Sequence, residues 1–135
     1  MATASGLVVP NIKDVQDKSI LAIAAELNRL QSLAHAGKLT TNDISGGTIT
    51  VSNIGTVGGT YAAPIIHPPE VAIVALGQTR NMPRYSSKGE LVKTPIMPIS
   101  WSADHRVVDG ATLASFCTKW KAYMESPDKM LVHLN

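Results

Sequence analysis

The sequence predicts a mixed α/β domain, and three observations support that class. Apolar residues recur at helical spacing in two segments, about residues 19–36 and the segment after Gly110. Residues 71–77, VAIVALG, form a nearly unbroken apolar run, which is typical of a strand covered on both faces. Shorter stretches that favour strands cluster in the second half of the chain. A chain of 135 residues is long enough for one domain with one core.

The composition favours a folded protein and argues against several classes of function. Hydrophobic residues make up 44% of the chain and charged residues 16%, which indicates a folded protein rather than a disordered one. Lys and Arg number 12 against 10 Asp and Glu, and the net charge of +2 without a basic run argues against a nucleic-acid or membrane-surface protein. No apolar run approaches the roughly 20 residues that span a bilayer. The single cysteine, Cys117, cannot form an internal disulfide and indicates a reducing compartment.

The first half of the chain predicts a strand, a helix and a connector. Residues 6–10, GLVVP, predict a short buried strand that ends at proline. The helix over about residues 19–36 has Ser19 or Asp17 as its N-cap and stops at Gly37. Residues 40–47 predict a turn-rich connector. The apolar positions of the helix are Ile20, Ile23, Ala24, Leu27, Leu30 and Ala34.

The second half predicts the sheet and the second helix. In GTITVSNIG, apolar and polar residues alternate as in a strand, and the glycines of residues 53–60 predict a loop. Residues 83–85 and 90–101 are expected to pair as a hairpin around a turn at residues 86–89. A second helix is expected to run from Gly110 to Pro127. Its apolar stripe consists of Leu113, Phe116, Cys117, Trp120, Tyr123 and Met124.

The stretch SWSADHRVVDG places His105 in a polar loop between a predicted strand and a predicted helix. Imidazole accepts and returns protons near neutral pH, so His105 is a candidate general base. Asp109, four residues later, would lie on the same side of one helical turn and could fix the tautomer of the ring. Asp104 and Arg106 could pair with other groups and hold the loop in shape. A solvated loop histidine is the alternative, and no neighbouring third ligand supports a metal site.

Ser52, Cys117 and the segment GTVGGT could each serve a function or be purely structural. Ser52 lies at the end of a strand before the glycine loop, where its hydroxyl could donate to an oxyanion or satisfy the backbone. Its surroundings lack the G-x-S-x-G pattern of a nucleophile elbow. Cys117 falls on the apolar stripe of the second helix and is interpreted as a core residue rather than a nucleophile. GTVGGT lacks the lysine and the spacing of phosphate-binding loops.

DHRVVDG, residues 104–110, resembles the H-x-x-x-D-G signature of dihydrolipoamide acyltransferases, the core subunits of 2-oxo acid dehydrogenase complexes. The resemblance covers essentially the whole chain. SNIG and SWSADHRVVDGAT look most similar to the branched-chain member of the family. The further matching segments, in order, are GLVVPNIKDVQ, AAELNRLQ, GGTITVSNIG and PPEVAIVALG.

The resemblance implies a fold and a reaction. The fold is α/β, a mixed sheet with flanking helices like that of chloramphenicol acetyltransferase, incomplete at its N-terminal side. The reaction moves an acyl group from dihydrolipoamide to coenzyme A in a channel between neighbouring subunits of a trimer. His105 matches the general base, Ser52 the donor to the oxyanion, and Asp109 the aspartate of the motif, which orients the histidine or braces the loop. Contacts with coenzyme A match Gln31, Ser52, Asn53, Gly77 and Thr79.

The resemblance also implies partners and a location. The chain is expected to form trimers and higher oligomers, and the full-length protein is expected to bind the dehydrogenase and dihydrolipoamide dehydrogenase components. No metal, nucleic acid or membrane is expected. The mitochondrial matrix is the expected location, with a bacterial cytoplasm as the alternative.

The chain is short for this family. Residues 1–135 match the C-terminal portion of the catalytic domain, and the lipoyl and subunit-binding domains are expected to be absent. Ala2 stands where relatives usually carry an acidic residue near coenzyme A. Two alternatives therefore remain open: a non-catalytic assembly element or remnant, and a related acyltransferase with a different acceptor.

Overall fold

The computed structural model describes residues 1–131, and these divide into two compact units. The first contains residues 1–47 and the residues from 114 onward, and the second contains residues 48–113. The strands are β1 (Ala2–Thr3), β2 (Gly6–Leu7), β3 (Thr50–Asn53), β4 (Ala72–Leu76), β5 (Arg80–Tyr85), β6 (Leu91–Ile96) and β7 (Ile99–Ala103). The helices are α1 (Ile20–His35), α2 (Thr41–Ile44) and α3 (Gly110–Glu125), with short 3₁₀ turns at Val15–Asp17, Gly55–Val57 and Pro127–Met130.

Helix α1 confirms the predicted helix and its cap. The Ser19 hydroxyl accepts a hydrogen bond from the backbone N–H of Ala22 at 3.2 Å, which satisfies one of the free donors of the first turn. Gly37, with φ of 64°, follows the helix in the left-handed conformation that favours glycine. Of the predicted apolar positions only Leu30 and Ala34 are buried, and Leu27 is 48% exposed. An apolar pattern shows which face can be buried, but other elements decide how much of it is covered.

The predicted connector at residues 40–47 contains a single helical turn, α2. It is stabilised by reciprocal hydrogen bonds between Thr40 and Asp43, which form a capping box. Asp43 is buried, and its carboxylate also accepts from Arg29 of α1 at 2.7 Å. The Arg29 hydrogen bond holds the pKa of Asp43 well below its usual range, helped by those from Thr40.

The N-terminal prediction of a buried strand over residues 6–10 is wrong in extent and in burial. Within residues 6–10 the strand consists of Gly6 and Leu7, which pair antiparallel with Ala2–Thr3 in a two-residue ladder. Leu7 is 77% exposed. A ladder this short cannot cover an apolar side chain by itself.

The second unit is built on a three-stranded sheet in the order β3-β4-β7. Strand β3 is parallel to β4, and β7 is antiparallel to β4. The central residues Ile73, Val74 and Ala75 are all buried, so the predicted coverage of both faces is confirmed. In β3 the predicted alternation is present, but its polar residues Thr50 and Ser52 lie on the better-covered face.

The predicted hairpin is confirmed, but its second strand is divided. Strands β5 and β6 pair antiparallel around the turn at residues 86–89, where Gly89 has φ of 80°. The predicted strand over residues 90–101 breaks at Met97 and Pro98, and β7 joins the other sheet. Proline has no N–H to donate to a ladder, and the Pro98 carbonyl instead accepts from Gly77 N–H at 2.9 Å.

Helix α3 begins at Gly110 and ends at Glu125, two residues before Pro127, which confirms the second predicted helix. Its apolar stripe is less covered than expected. No residue of this helix is buried, and Phe116 is 47% exposed. Cys117 is half-buried, and burial raises the pKa of its thiol. A thiol whose pKa is raised is a poor nucleophile, which supports the interpretation that Cys117 is structural.

Candidate functional site

The corner between β7 and α3 is organised around the backbone of Asp104. Its N–H donates to the Val71 carbonyl at 2.9 Å, beside the start of β4. Its carbonyl accepts from the N–H groups of Val107 and Val108, at 3.0 and 2.9 Å. These bonds close a tight turn and present His105 at its outer side, exposed to solvent.

The side chain of Asp104 reinforces the same corner. Its carboxylate accepts from the backbone N–H of Arg106 at 3.0 Å and from the guanidinium of Arg106 at 2.6 Å. The Arg106 guanidinium lowers the pKa of Asp104 to about 2, so the carboxylate is ionised at neutral pH. The two residues were expected to hold the loop in shape, and they do so by pairing with each other.

Asp109 lies where α3 begins, and its carboxylate is directed to the helix. Its Oδ1 accepts from Thr112 N–H at 2.7 Å, the geometry of an N-cap. That hydrogen bond lowers the pKa of Asp109. Within residues 1–131 no hydrogen bond joins Asp109 to His105. The corner therefore presents an imidazole whose ring nitrogens are open to a substrate.

Four of the other predicted residues, Ser52, Asn53, Gly77 and Thr79, lie at or just beyond the opposite end of the sheet. Ser52 and Asn53 are the last two residues of β3 and lie beside Ala75 and Leu76 of β4. The Ser52 hydroxyl is half-buried and has no hydrogen-bond partner among the residues that the structure describes. Asn53 Oδ1 accepts from Gly55 N–H at 3.1 Å, which turns the chain into the glycine loop.

Glycines let the loop of residues 54–60 lie directly against the end of β4. Ile54 N–H donates to the Leu76 carbonyl at 3.0 Å, and Gln78 N–H donates to the Gly59 carbonyl at 2.8 Å. A Cβ on Gly77 would lie 2.2 Å from the Thr60 carbonyl oxygen, so only glycine fits there. Thr79 follows as an exposed residue.

Gln31 lies apart from this group in the chain, on an exposed position of α1 in the first unit. The remaining four predicted coenzyme A positions, Ser52, Asn53, Gly77 and Thr79, belong to the second unit. The structure thus brings four of the five together at one end of one sheet.

The register separates Ser52 from His105 within one chain. Ser52 and Ser100 flank Ala75 across the sheet, and β7 runs on from Ser100 to Ala103 beside the start of β4. At roughly 3.3 Å per residue this is about 10 Å, and His105 lies two residues further on. His105 and Ser52 of one chain therefore lie toward opposite ends of the sheet.

Sequence reasoning did not detect a contact beside the glycine loop. The Gln78 side chain accepts two hydrogen bonds from Arg80, from Nε at 3.0 Å and from Nη2 at 2.9 Å. In the sequence, the feature that could have pointed to this contact is the change from the apolar residues of β4 to the polar segment QTR, residues 78–80.

Among the helices of residues 1–131, none combines the length and apolar character needed to cross a bilayer. In the same residues, no three His, Cys, Asp or Glu side chains are grouped as ligands of a metal ion would be.

Comparison with known proteins gives one family for nearly the whole chain. Residues 1–132 match the model of the 2-oxoacid dehydrogenases acyltransferase catalytic domain. The lipoamide acyltransferase component of the mitochondrial branched-chain alpha-keto acid dehydrogenase complex of Bos taurus is 59% identical over 134 residues. That match covers 99% of this chain and 28% of the bovine protein. The Arabidopsis thaliana counterpart is 51% identical over the same share of the chain.

Solved structures agree with the fold. A dihydrolipoamide acetyltransferase of Azotobacter vinelandii superposes with a TM-score of 0.91 at 35% identity, over 96% of this chain and 53% of that one. The cubic core of a pyruvate dehydrogenase multienzyme complex also gives a TM-score of 0.91, at 34% identity, over 97% and 54%. The expected mixed sheet of the acyltransferase fold is thereby confirmed.

Proposed function

Because this chain belongs to the 2-oxoacid dehydrogenase acyltransferase family, we propose that it transfers an acyl group from S-acyldihydrolipoamide to coenzyme A. The chain spans 28% of the length of the bovine relative, so this activity is proposed for the segment that residues 1–135 represent. The domain assignment is likewise a proposal: residues 1–135 are the C-terminal portion of the catalytic domain.

The observation that carries the proposal is the exposed imidazole of His105 on a corner held by Asp104. The corner is tied to Val71 and closed by two backbone hydrogen bonds, so the ring projects from a defined position. Its nitrogens make no hydrogen bond within residues 1–131. A general base needs both properties, a fixed location and a nitrogen open to the substrate.

The chemistry requires one proton carrier and one oxyanion donor. His105 removes the proton from the thiol of coenzyme A, and the sulfur attacks the thioester carbonyl carbon. The carbonyl electrons form an oxyanion, to which the Ser52 hydroxyl donates a hydrogen bond. The intermediate then expels the sulfur of dihydrolipoamide, and the imidazolium returns the proton to it. No bond to the protein forms, so Ser52 acts as a donor and not as a nucleophile.

In this proposal Asp109 is a positioning residue: it helps to hold the turn that carries His105. Its carboxylate caps α3, so it ties the end of the His105 turn to the helix. The Azotobacter structure comes from an investigation of a serine, a histidine and an asparagine in catalysis, the asparagine four residues after the histidine. In this chain Asp109 lies four residues after His105, and Asn and Asp are equivalent as N-caps.

The opposite placement of Ser52 and His105 supports a site shared between two copies of the chain. Groups that act on one thioester must lie within about 3–3.5 Å of the reacting atoms. Two such groups therefore lie no more than about 7 Å apart, whereas the level of Ser52 is about 10 Å along the sheet from Ala103 and His105 lies two residues beyond that. In a trimer, His105 of one subunit can face the Ser52 end of its neighbour, and the site closes only on assembly.

The remaining assignments follow from the same proposal. Gln31, Ser52, Asn53, Gly77 and Thr79 contact coenzyme A, and the lipoyl group arrives on a separate domain. The acyl group is branched, as the names of the bovine and Arabidopsis relatives suggest. Partners are further copies of the chain and the dehydrogenase and dihydrolipoamide dehydrogenase components. The location is the mitochondrial matrix, which the bovine relative's description supports, with a bacterial cytoplasm as the alternative.

The test is complementation between two inactive variants. His105→Ala and Ser52→Ala are each expected to reduce acyl transfer by about a hundredfold or more. Co-expressed and assembled at random, they should recover about a quarter of the wild-type sites, because a quarter of the interfaces join an intact His105 to an intact Ser52. Transfer from isovaleryl-dihydrolipoamide to coenzyme A is measured on the purified oligomer.

His67→Ala is the matched control, since His67 is an exposed histidine outside the proposed site, and it should retain full activity. Co-expressed variants that stay as inactive as each alone would contradict the shared site. A wild-type chain that is inactive although assembled would contradict the proposed function of this segment.

A further inference from the structure

The segment that leaves β4 carries a guanidinium group fixed by a neutral partner. Arg80 Nε and Nη2 both donate to Gln78 Oε1, at 3.0 and 2.9 Å. This two-point contact uses one edge of the planar group and restricts its rotation. The Nη1 edge of Arg80 stays available to another acceptor.

Whether an arginine can bind an anionic ligand depends on whether its own partner in the protein is charged or neutral. Arg29 and Arg106 each pair with carboxylates, Arg29 with Glu26 and Asp43, and Arg106 with Asp104. No ion pair joins Arg80 to a carboxylate anywhere in the described chain. An amide oxygen orients the guanidinium without neutralising it, so the full positive charge remains for an anionic ligand.

The location connects Arg80 to the glycine loop. The backbone of Gln78 donates to the Gly59 carbonyl at 2.8 Å, and Gly77 lies against the Thr60 carbonyl. Arg80 is the first residue of β5, where its backbone is held opposite Ile96. The guanidinium thus belongs to a braced segment rather than to a freely moving loop.

The proposed ligand needs such a charge. Coenzyme A carries a diphosphate and a 3′-phosphate, but none of the five proposed contact residues is cationic: Gln31, Ser52, Asn53, Gly77 and Thr79. We propose that Arg80, oriented by Gln78, binds a phosphate group of coenzyme A. This inference rests on the proposed function and adds the residue that would recognise the nucleotide part of the acceptor.

The experiment compares Arg80→Gln with Arg84→Gln as its matched control. Both changes remove one positive charge from an exposed position of β5, and the Arg84 guanidinium donates a hydrogen bond to the Pro83 carbonyl. Binding of coenzyme A and of pantetheine, a thiol without phosphates, is measured by titration calorimetry. Arg80→Gln should weaken binding of coenzyme A by about fivefold or more, as expected for loss of a charge-assisted phosphate contact, and should leave pantetheine unchanged. Arg84→Gln should change neither.

Gln78→Glu gives an independent test. A carboxylate at this position would pair with Arg80 and compete with phosphate, so affinity for coenzyme A should fall while affinity for pantetheine is retained. Equal losses for both thiols, or equal effects of Arg80→Gln and Arg84→Gln, would overturn the inference. Absence of coenzyme A binding by the wild-type chain would also overturn it, whereas binding without acyl transfer would count against the proposed function alone. Circular dichroism and melting curves verify that each variant is folded.

Discussion

At the residue scale, the corner of His105 shows how one local structure combines support and exposure. Asp104 supplies the backbone bonds and the pairing with Arg106, and Asp109 supplies the cap of α3. His105 lies between them and takes part in neither arrangement. The sequence motif therefore divides into residues that shape the turn and one residue that the turn presents.

The role of Asp109 is testable by two substitutions. Asp109→Asn should keep the cap of α3 and hold kcat within about threefold of wild type, because Asn and Asp cap equally well. Asp109→Ala removes the acceptor for Thr112 N–H and should lower the melting temperature, with kcat falling more than the affinity for coenzyme A. Acyl-transfer kinetics and thermal melting on both variants distinguish these outcomes. Equal damage from Asn and Ala would mean that the negative charge itself, and not the cap, is required.

At the scale of elements, the end of β4 and the glycine loop depend on close backbone approach. The Gly77 N–H is bonded to the Pro98 carbonyl, while its Cα faces the Thr60 carbonyl. The backbones near Thr60, Gly77 and Pro98, which are distant in sequence, therefore meet at Gly77, where no side chain keeps them apart. Ser52 and Asn53 pair with Ala75 and Leu76 just before this point, and Thr79 and Arg80 follow it in the chain.

Gly77→Ala is expected to disrupt this meeting point. Its methyl group would lie 2.2 Å from the Thr60 carbonyl oxygen, so the loop must move. Overpacking of this kind costs about 1–3 kcal/mol of stability, and coenzyme A binding should weaken with it. Gly110→Ala is the control, since a Cβ there meets open space and alanine suits a helix. Unfolding by urea and calorimetric binding provide the measurements. A stable Gly77→Ala variant with unchanged affinity would contradict this account of the loop.

At the scale of the whole molecule, the chain exposes more apolar surface than an isolated domain usually does. Among residues 1–131, the buried apolar side chains are Leu30, Ala34, Ile73, Val74 and Ala75. Large apolar side chains such as Val57, Tyr61 and Ile65 are more than three-quarters exposed. Exposed apolar surface of this kind is typical of chains that associate, which agrees with a site shared between copies.

The chain is therefore expected to associate in solution. Size exclusion with light scattering should give a trimer or a larger species, and its melting temperature should rise with protein concentration, because association stabilises the folded state. The same fractions are assayed for acyl transfer. Assembled but inactive material would favour the alternative of a non-catalytic assembly element. A folded monomer with a concentration-independent melting temperature would contradict the proposed shared site.

Much of the local structure was predictable because it depends on neighbouring residues. The cap at Ser19, the stop at Gly37, the strand of VAIVALG and the turn before Glu90 all follow from local propensity. The predicted coverage of β4 was confirmed, but the predicted burial of Leu7 and of much of the stripe on α3 was wrong. A sequence pattern marks a face as apolar, but it contains no information on which distant segment lies over it.

The sequence by itself determined the elements, the motif that identifies the family and the candidate residues His105, Ser52 and Asp109. Only the tertiary structure decided that Asp109 caps a helix, that Gln78 orients Arg80, and that Ser52 and His105 lie at opposite ends of one sheet. For the separation of Ser52 from His105, the physical reason is the register of β3, β4 and β7, in which backbone hydrogen bonds join segments about 25 residues apart. Backbone groups are the same for nearly every residue type, so the register leaves no clear mark on the side chains that the sequence records.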